Sequence, residues 1–473
     1  MKENIIGREV EKGLLEEVMN SNKSEFVAIT GRRRVGKTFL VKEFFENRLS
    51  FQTAGMSNEN TAHQLKAFYQ DLLGSGLTPD SNEPKDWIEA FGLLRQLLEA
   101  SSTERKIIFL DELPWMDTPR SGFVSALEHF WNVWASSRHD IVLIVCGSAT
   151  SWMMDKLINN HGGLHNRITR SIILQPFTLG ETEKFLKHKG FMLSRYEVAV
   201  CYMIFGGIPY YLDLLETRLT LTENVDNLLF RREGLLRYEF RNLYAALFKN
   251  SDDYIAVVKA LSKKGYGLTR DEIIQSTGLT SNGGLTKVLN NLEYCGFVRS
   301  YSVFKGKRGA NTIYQLVDFY TLFYFLFLQS NATATGHYWS SIQGKSKFYS
   351  WAGLTFEILC LAHIRQIKNA LGISGIDTLE YAWRDTSKDG AQIDMVIERA
   401  DPTINICEMK FSQNEFEITA DYESNLRNKL SVFSELTKGR KSLQLTMITT
   451  YGIKRNTHSG IVSKEIRLDQ LFD

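Results

Sequence analysis

The sequence has few cysteines and little net charge, and each shortage argues against a class of protein. Its 473 residues carry a net charge of +2, too small a charge to indicate a nucleic-acid partner by itself. The cysteines form no CxxC pair and lie mostly in apolar stretches, so we expect reduced, buried thiols rather than a disulfide framework or a zinc site. The five cysteines are Cys146, Cys201, Cys295, Cys360 and Cys407.

The sequence also has no apolar run long enough to cross a membrane. Its most apolar stretch, Leu316–Leu328, is shorter than the ~20 residues that a membrane-spanning helix needs, and it contains Asp318. It predicts a buried helix. The first residues, Met-Lys-Glu-Asn-Ile, lack the apolar core of a secretory signal. Together with the reduced thiols, these features predict a cytoplasmic protein without a membrane partner.

Full hydrophobic cores are expected, because 43% of the residues are hydrophobic.

The most informative feature is the octapeptide Gly31–Thr38, which reads Gly-Arg-Arg-Arg-Val-Gly-Lys-Thr and matches the phosphate-binding pattern GxxxxGK[ST] at every fixed position. The apolar run Glu25–Thr30 precedes it and predicts a buried strand, and Phe39–Phe45 follows as a helix with an apolar face. Strand, glycine loop and helix in this order are the context that the motif requires.

This loop predicts a site for ATP and Mg²⁺. Its glycines let backbone N–H groups face the phosphates, and the following helix adds partial positive charge at its N-terminus. Lys37 is predicted to reach the β- and γ-phosphates, and Thr38 to hold Mg²⁺. The predicted binding residues of the loop are Gly31, Gly36, Lys37 and Thr38.

A second nucleotide motif, Lys106–Glu112, is an apolar strand that ends in two acids. The carboxyl ends of parallel strands lie beside the phosphate loop in doubly wound sheets. We therefore predict that Asp111 orients the Mg²⁺ shell and that Glu112 polarises the attacking water. Alone, the two acids would fit an ordinary strand end equally well.

A third apolar strand, Ile141–Ser148, ends in a small polar residue. Ser148 either senses the γ-phosphate or caps the following helix, and its position fits both roles. Trp131 and Trp134 lie about one turn apart before this strand, and we predict that both belong to the core.

Together these motifs resemble those of AAA+-related P-loop ATPases of the archaeal type, which are close to the signal-transducing STAND ATPases. The resemblance spans roughly residues 1–250 and extends to four further segments. Ile5–Glu9 is similar to the family's opening segment near adenine, and Asp111–Trp115 is similar to its extended Walker B motif. Asn166–Phe177 is similar to the arginine-bearing strand before the lid, and Gly206–Pro209 is similar to the GGxP turn of the helical lid.

The resemblance implies roles that the local pattern does not. Arg8 and Pro209 are implied to lie near the nucleotide, and Arg167 to serve as the γ-phosphate or arginine-finger residue, with Arg170 second. A guanidinium stabilises charge on the transferred phosphoryl group, although both arginines would equally fit a basic surface strand. The role of Arg32–Arg34, inside the loop, stays open.

Two further patterns follow downstream. Thr269–Glu272 is a capping box, Gly278–Gly284 is a turn, and a second helix presents apolar residues on one face. A predicted hairpin, residues 296–316, completes the pattern of a winged helix. Such a domain can bind DNA or serve as a spacer or protein contact, and the candidate phosphate contacts are Lys287, Lys305, Lys307 and Arg308.

The last ~120 residues carry acids and a lysine on predicted strands. Asp394 lies on one strand, and the next bears Glu408 and Lys410, which period-2 spacing places on one face. Glu357 lies on an apolar helix upstream. This set resembles the core of PD-(D/E)xK nucleases, which implies that Asp394 and Glu408 hold Mg²⁺, Lys410 orients or activates water, and Glu357 assists. Phosphodiester hydrolysis needs such a cation and a positioned hydroxide.

Archaeal-type ATPases often carry such a nuclease-like domain after a winged helix. The predicted fold class is α/β: a P-loop NTPase core (1–175), a helical lid (176–250), a winged helix (251–330) and a nuclease-like domain (331–473). We expect an ATPase coupled to DNA binding or cleavage, acting as a homo-oligomer if an arginine finger works across subunits. The alternative is a nucleotide-gated switch that acts through protein partners, with an inactive nuclease-like domain. A third, weaker alternative is a DNA-binding regulator that uses the winged helix alone.

Overall fold

The computed structural model describes residues 4–78, 82–148, 152–158, 164, 166–248, 250–302, 312–331, 336–384, 391–437 and 441–473. The chain divides into two compact units. The first unit comprises Met1–Pro176 with Leu289–Cys295, and the second comprises Phe177–Val288 with Gly296–Asp473.

The first unit is built on a five-stranded, all-parallel sheet with helices in the connections. Its strands are β1 (Glu25–Gly31), β2 (Leu49–Ala54), β3 (Lys106–Asp111), β4 (Ile141–Ser148) and β5 (Arg170–Leu174). Its helices are α1 (Glu9–Asn20), α2 (Lys37–Phe45), α3 (Thr61–Gly74), α4 (Trp87–Ala100) and α5 (Phe123–His129).

The strand order β2-β3-β4-β1-β5 confirms the predicted parallel sheet. Every residue of β1 and β3 is buried, as expected for parallel strands covered on both faces. One aromatic and aliphatic core packs against the sheet and includes Trp131 and Trp134. The prediction that these two tryptophans belong to the core is therefore confirmed.

The second unit begins with helices and ends with a mixed sheet. Its helices are α6 (Leu179–Lys189), α7 (Arg195–Phe205), α8 (Pro209–Asp213), α9 (Leu221–Val225), α10 (Glu239–Leu247), α11 (Ser251–Leu261), α12 (Arg270–Thr277), α13 (Gly283–Tyr294), α14 (Phe319–Phe323), α15 (Tyr338–Ile342), α16 (Ser346–Ala362), α17 (Ile364–Leu371) and α18 (Ala420–Thr437). Its strands are β6 (Leu268–Thr269), β7 (Val298–Ser302), β8 (Thr312–Leu316), β9 (Thr378–Arg384), β10 (Gln392–Arg399), β11 (Thr403–Lys410), β12 (Ser442–Thr449) and β13 (Lys464–Arg467). The last residues of α13 are grouped with the first unit.

Two helices and a small sheet occupy the segment with the winged-helix pattern. Thr269 caps α12 and forms the expected capping box with Glu272. The antiparallel sheet has the order β6-β8-β7, and Lys287 is exposed on α13. The other predicted phosphate contacts lie outside the described residues: Lys305, Lys307 and Arg308.

The C-terminal sheet has the order β13-β12-β11-β10-β9. Its central strand, β11, runs antiparallel to β10 and parallel to β12. Six of the eight residues of β11 are buried, and α16 packs against this strand. Glu408 and Lys410 therefore lie on the central strand of the sheet, and Asp394 lies on the neighbouring strand.

The predicted buried helix near residue 320 is present but starts later than the apolar run. Asp318 caps α14 by accepting a hydrogen bond from the Thr321 N–H, and residues Tyr324–Leu328 continue as a π-helix. Among the described residues, no helix combines the length and apolarity needed to cross a membrane. All five cysteines are buried and free, as predicted.

Candidate functional site

The glycine loop of the first unit connects β1 to α2. Gly31 and Gly36 have φ angles of 157° and 92°, and a Cβ atom at Gly31 would lie 2.4 Å from the carbonyl oxygen of Leu174. A side chain at Gly31 would therefore collide with β5. Arg34 adopts a φ of 73°, so the loop includes backbone conformations that a helix or strand does not provide.

Lys37 is folded back into its own loop. It is 7% exposed, and its Nζ donates hydrogen bonds to the carbonyl oxygens of Gly31 and Arg32, at 3.2 and 3.1 Å. An ammonium that spans the loop in this way lies where a phosphate group would be cradled. The position fits the role predicted for Lys37.

Thr38 and Asp111 are brought together across the sheet. The Thr38 Oγ1 donates a 2.6 Å hydrogen bond to Asp111 Oδ2, although the two residues are 73 positions apart. Asp111 lies at the end of β3 and is 8% exposed. A hydroxyl and a carboxylate so close together are the hard oxygen ligands that Mg²⁺ prefers, so this pair fits the predicted cation.

Glu112 follows Asp111 in a left-handed conformation, with φ of 45°. Burial raises the pKa of the Glu112 carboxyl above its ordinary value, while the positive charge of Lys37 acts in the opposite direction. Arg33 also lowers the pKa of Glu112, which connects one loop arginine to this acid. A carboxylate with a raised pKa accepts a proton from water more readily.

Two more predicted residues of the first unit, Ser148 and Arg8, lie beside the loop. Ser148 pairs with Gly31 in the β1–β4 register and is half-buried. Arg8 is buried and donates to the carbonyl oxygens of Gln175 and Val35, at 2.7 and 3.2 Å. Arg8 therefore holds the loop backbone, a contact that the sequence did not indicate.

The arginines assigned by resemblance lie before or at the start of β5. Arg167 is exposed in a turn, and Arg170 donates to the carbonyl oxygen of Thr169 at 2.9 Å. Pro209 starts α8 in the second unit, two positions after Gly207, and Gly206 and Gly207 have φ angles of 68° and 63°. The roles predicted for Arg167, Arg170 and Pro209 stay predictions.

In the second unit, β10 and β11 bring the predicted acids and lysine together. The Lys410 Nζ lies 3.9 Å from Asp394 Oδ2 and 3.7 Å from Glu408 Oε2. Asp394 Oδ2 also accepts a 2.9 Å hydrogen bond from the Met409 N–H. Glu408 and Lys410 thus share one face, as the period-2 spacing predicted.

Glu357 reaches the same cluster from α16. Burial, followed by the charge of Asp394, raises its pKa to about 8, whereas Lys410 and Lys429 lower it and Glu408 raises it. All four predicted residues of this site therefore interact electrostatically. Among the described residues, no group of three or more His, Cys, Asp or Glu side chains has the arrangement of a metal site.

Two residues of α18, neither of them predicted from the sequence, complete the cluster. Glu408 Oε1 accepts a 2.7 Å hydrogen bond from the Lys429 Nζ, and Oε2 accepts one of 3.2 Å from the Tyr422 hydroxyl. Tyr422 and Lys429 lie seven positions apart, which is about two helical turns. That spacing was the available signal, because residues two turns apart share one face of a helix.

The first part of the chain is similar to a known family of ATPase domains. Residues 6–215 match the model of a family described as an ATPase domain predominantly from Archaea. An uncharacterized protein of Methanocaldococcus jannaschii is 26% identical over 74% of this chain and 75% of the relative. A short uncharacterized ATP-binding protein of the same organism is 46% identical over 43 residues, 9% of this chain and 73% of the relative.

A solved structure shows the same fold. The Walker-type ATPase PABY2304 of Pyrococcus abyssi has a TM-score of 0.50 and 18% identity, over 68% of this chain and 96% of its own. The family match over residues 6–215 and the parallel sheet with its glycine loop support an ATPase domain of the P-loop type in this part of the chain.

Proposed function

We propose that this protein hydrolyses ATP and couples the nucleotide state to binding and metal-dependent cleavage of DNA. The observation that supports the hydrolysis step is the 2.6 Å hydrogen bond between Thr38 and Asp111, beside the buried Lys37. Mg²⁺ held by Thr38 and Asp111 would neutralise charge on the phosphates. Lys37 binds the phosphates, and Glu112 takes a proton from the attacking water.

The cleavage part of the proposal rests on the convergence of Asp394 and Glu408 on the Lys410 ammonium, at 3.9 and 3.7 Å. The two carboxylates supply the hard oxygen ligands that a divalent cation requires, so the donor set fits Mg²⁺ or Mn²⁺. The cation would place positive charge on the scissile phosphate. Lys410 positions the attacking water, and Glu357 assists the metal as a third acid.

The test is cleavage of plasmid and linear DNA with Mg²⁺ or Mn²⁺, in the presence of ATP, ADP or no nucleotide. We expect cleavage by the native chain and none by Lys410→Ala, while Lys37→Ala loses ATP turnover. Matched RNA and single-stranded substrates define the preferred nucleic acid. Equal cleavage by the native chain and Lys410→Ala would assign the nuclease activity to a contaminant and refute the cleavage proposal.

A second candidate function is a nucleotide-gated switch that acts through protein partners. It is favoured by one observation: Glu408 is fully buried, and both of its carboxylate oxygens are already engaged by Lys429 and Tyr422. Such a cluster can stabilise a sheet without catalysis. ATP turnover that depends on Lys37, combined with no cleavage in any nucleotide state, would select the switch.

DNA binding through the winged-helix segment is a separate part of the proposal. Lys287 is exposed on α13, where a side chain can contact phosphate. We expect DNA affinity to fall steeply with salt and the salt slope to decrease by about one in Lys287→Ala. An exposed lysine on another helix gives the control: Lys66→Ala should leave the slope unchanged. Equal slopes in native chain and both variants would exclude this contact.

A further inference from the structure

The acid cluster of the second unit, which comprises Glu357, Asp394, Glu408 and Lys410, lies against a second lysine, Lys429. Lys429 has no role in the proposed cleavage. Glu408 has no exposed surface, and its Oε1 lies 2.7 Å from the Lys429 Nζ. Lys410 is the more distant cation, at 3.7 Å from Oε2. The direct partner of the buried Glu408 carboxylate is therefore Lys429, not the lysine of the sequence motif.

The positive charge of Lys429 balances the negative charge of the buried Glu408 carboxylate. A buried carboxylate without a partner is strongly destabilising, so the charge of Glu408 needs compensation whenever no metal is bound. Glu408 and Asp394 are also the proposed metal ligands, and Lys410 faces both of them. The Lys429 ammonium supplies at Glu408 the positive charge that a bound cation would otherwise bring.

The Lys429 side chain also has space into which it can move. An open cleft of about 290 Å³ is lined by Asp394 and Lys429 together with Ala391, Gln392, Asn425 and Asn428. The lysine side chain is 14% exposed and sits on a flexible four-carbon stem, whose ammonium is readily hydrated. It can therefore leave Glu408 for the cleft while α18 stays in place.

We propose that Lys429 is a resident counter-ion of the acid cluster, and that a divalent cation displaces its ammonium from Glu408 when it binds. This inference rests on the proposed metal-dependent cleavage site. It makes Lys429 a positioning residue that keeps the Glu408 carboxylate oriented before the metal arrives. It also sets the metal affinity of the site, because each bound cation must first break the Lys429–Glu408 ion pair.

The direct test measures Mn²⁺ binding to the full chain in the absence of nucleotide. Binding is measured by calorimetry and by the electron paramagnetic resonance signal of free Mn²⁺. The variants are Lys429→Met, Lys429→Arg and Glu408→Gln. Binding that disappears in Glu408→Gln belongs to this site. We expect Lys429→Met to bind Mn²⁺ at least about tenfold more tightly than the native chain, since no ion pair has to be broken. Lys429→Arg should stay near the native affinity.

Thermal unfolding provides a readout that does not depend on cleavage. In EDTA, Lys429→Met should melt below the native chain, because the buried Glu408 loses its closest cation and keeps only Tyr422 and the more distant Lys410. Mn²⁺ should restore the melting temperature of Lys429→Met by mass action and shift the native chain much less. In the double variant Lys429→Met/Glu408→Gln, Mn²⁺ should have no such effect.

The native chain supplies a further measurement in case Lys429→Met does not fold. Acetylation with an amine-reactive reagent, read by mass spectrometry, should become faster at Lys429 when Mn²⁺ is added. The exposed Lys66 should react at the same rate with and without Mn²⁺. Unchanged labelling of Lys429 at saturating Mn²⁺ would overturn the displacement.

The outcomes separate this inference from the function on which it rests. If Mn²⁺ binding is lost in Glu408→Gln but is equal or weaker in Lys429→Met, the metal site stands and the counter-ion role is wrong. If no Mn²⁺ binding is sensitive to Glu408, the proposed metal-dependent cleavage site fails, and the counter-ion role fails with it.

Discussion

Acidification from pH 7 to pH 5 is expected to destabilise the second unit through the buried imidazole of His363. This residue is 1% exposed. The Leu179 N–H donates a 2.9 Å hydrogen bond to its Nε2, and its Nδ1 lies 2.8 Å from the Leu359 carbonyl oxygen. A backbone N–H can only donate, so Nε2 must accept and Nδ1 must carry the proton. Protonating Nε2 would break the bond to Leu179.

The size of the effect follows from the shift in pKa. Burial lowers the pKa of His363 from 6.5 to about 4, partly opposed by the hydrogen bond to Leu359 and by the charge of Glu181. The unfolded chain takes up a proton near pH 6.5, whereas the folded chain resists until about pH 4. Stability is therefore fully present above pH 6.5 and is lost as the pH falls towards 4. At about 1.4 kcal/mol per pKa unit, the loss is about 2 kcal/mol by pH 5 and about 3 kcal/mol in full.

The assay compares native chain with His363→Gln, which cannot titrate in this range. Urea unfolding at pH 5, 6 and 7 gives the free energy of each, and the difference between them removes the contributions of the other histidines. Residue-resolved exchange of the imidazole C2 hydrogen, followed by mass spectrometry, reads the pKa of His363 directly. A difference in unfolding free energy that stays constant from pH 7 to 5, or titration of His363 near 6.5, would show that burial of His363 does not set the acid sensitivity of the fold.

Three further changes probe the first unit. Thr38→Ala should weaken Mg²⁺-dependent nucleotide binding by about tenfold or more and leave metal-free binding unchanged, as measured by fluorescent-nucleotide titration; equal losses with and without Mg²⁺ would contradict this. Glu112→Gln should bind ATP but turn it over at least about 100-fold more slowly in a phosphate-release assay, and near-native turnover would remove Glu112 from the proton transfer. Gly31→Ala should lower the free energy of unfolding by about 2 kcal/mol, because its Cβ would lie 2.4 Å from the carbonyl oxygen of Leu174. Gly92→Ala is its control, since nothing lies within 4 Å of a Cβ there, and helix propensity makes it neutral or stabilising. Equal effects of the two glycine variants would show that the loop is not sterically constrained.

The sequence predicted the elements that carry the first candidate site because its motifs are local. The glycine loop, its strand and its helix occupy one contiguous stretch, and α2 begins at Lys37 as the motif requires. The acidic strand end could also be predicted, because a complete phosphate loop elsewhere in the sequence favours the nucleotide-site interpretation of the two acids. The sequence did not indicate that β4 separates β1 from β3, since strand order depends on packing between distant segments.

The second site was predicted only in part. The period-2 pattern placed Glu408 and Lys410 on one face, and their common approach to Asp394 follows from the antiparallel register of β10 and β11. Neither Tyr422 nor Lys429 was predicted, because α18 begins ten positions after β11 ends and its orientation over the sheet is a tertiary property. The contact of Arg8 with the loop was missed for the same reason.

By itself, the sequence determined the types of element and the chemistry they carry: a phosphate loop, an acidic strand end and an acid–lysine strand, each specified by residues close together in the chain. Which distant side chains form ion pairs and hydrogen bonds with each other depended on the tertiary structure. The tertiary structure placed the Lys429 ammonium beside the buried Glu408 and added a direct hydrogen bond between Thr38 and Asp111, which the sequence had predicted only to act on the same Mg²⁺. The physical reason is that hydrophobic periodicity fixes which face of an element is buried, whereas the partner of a buried charge is fixed by how separate elements pack together.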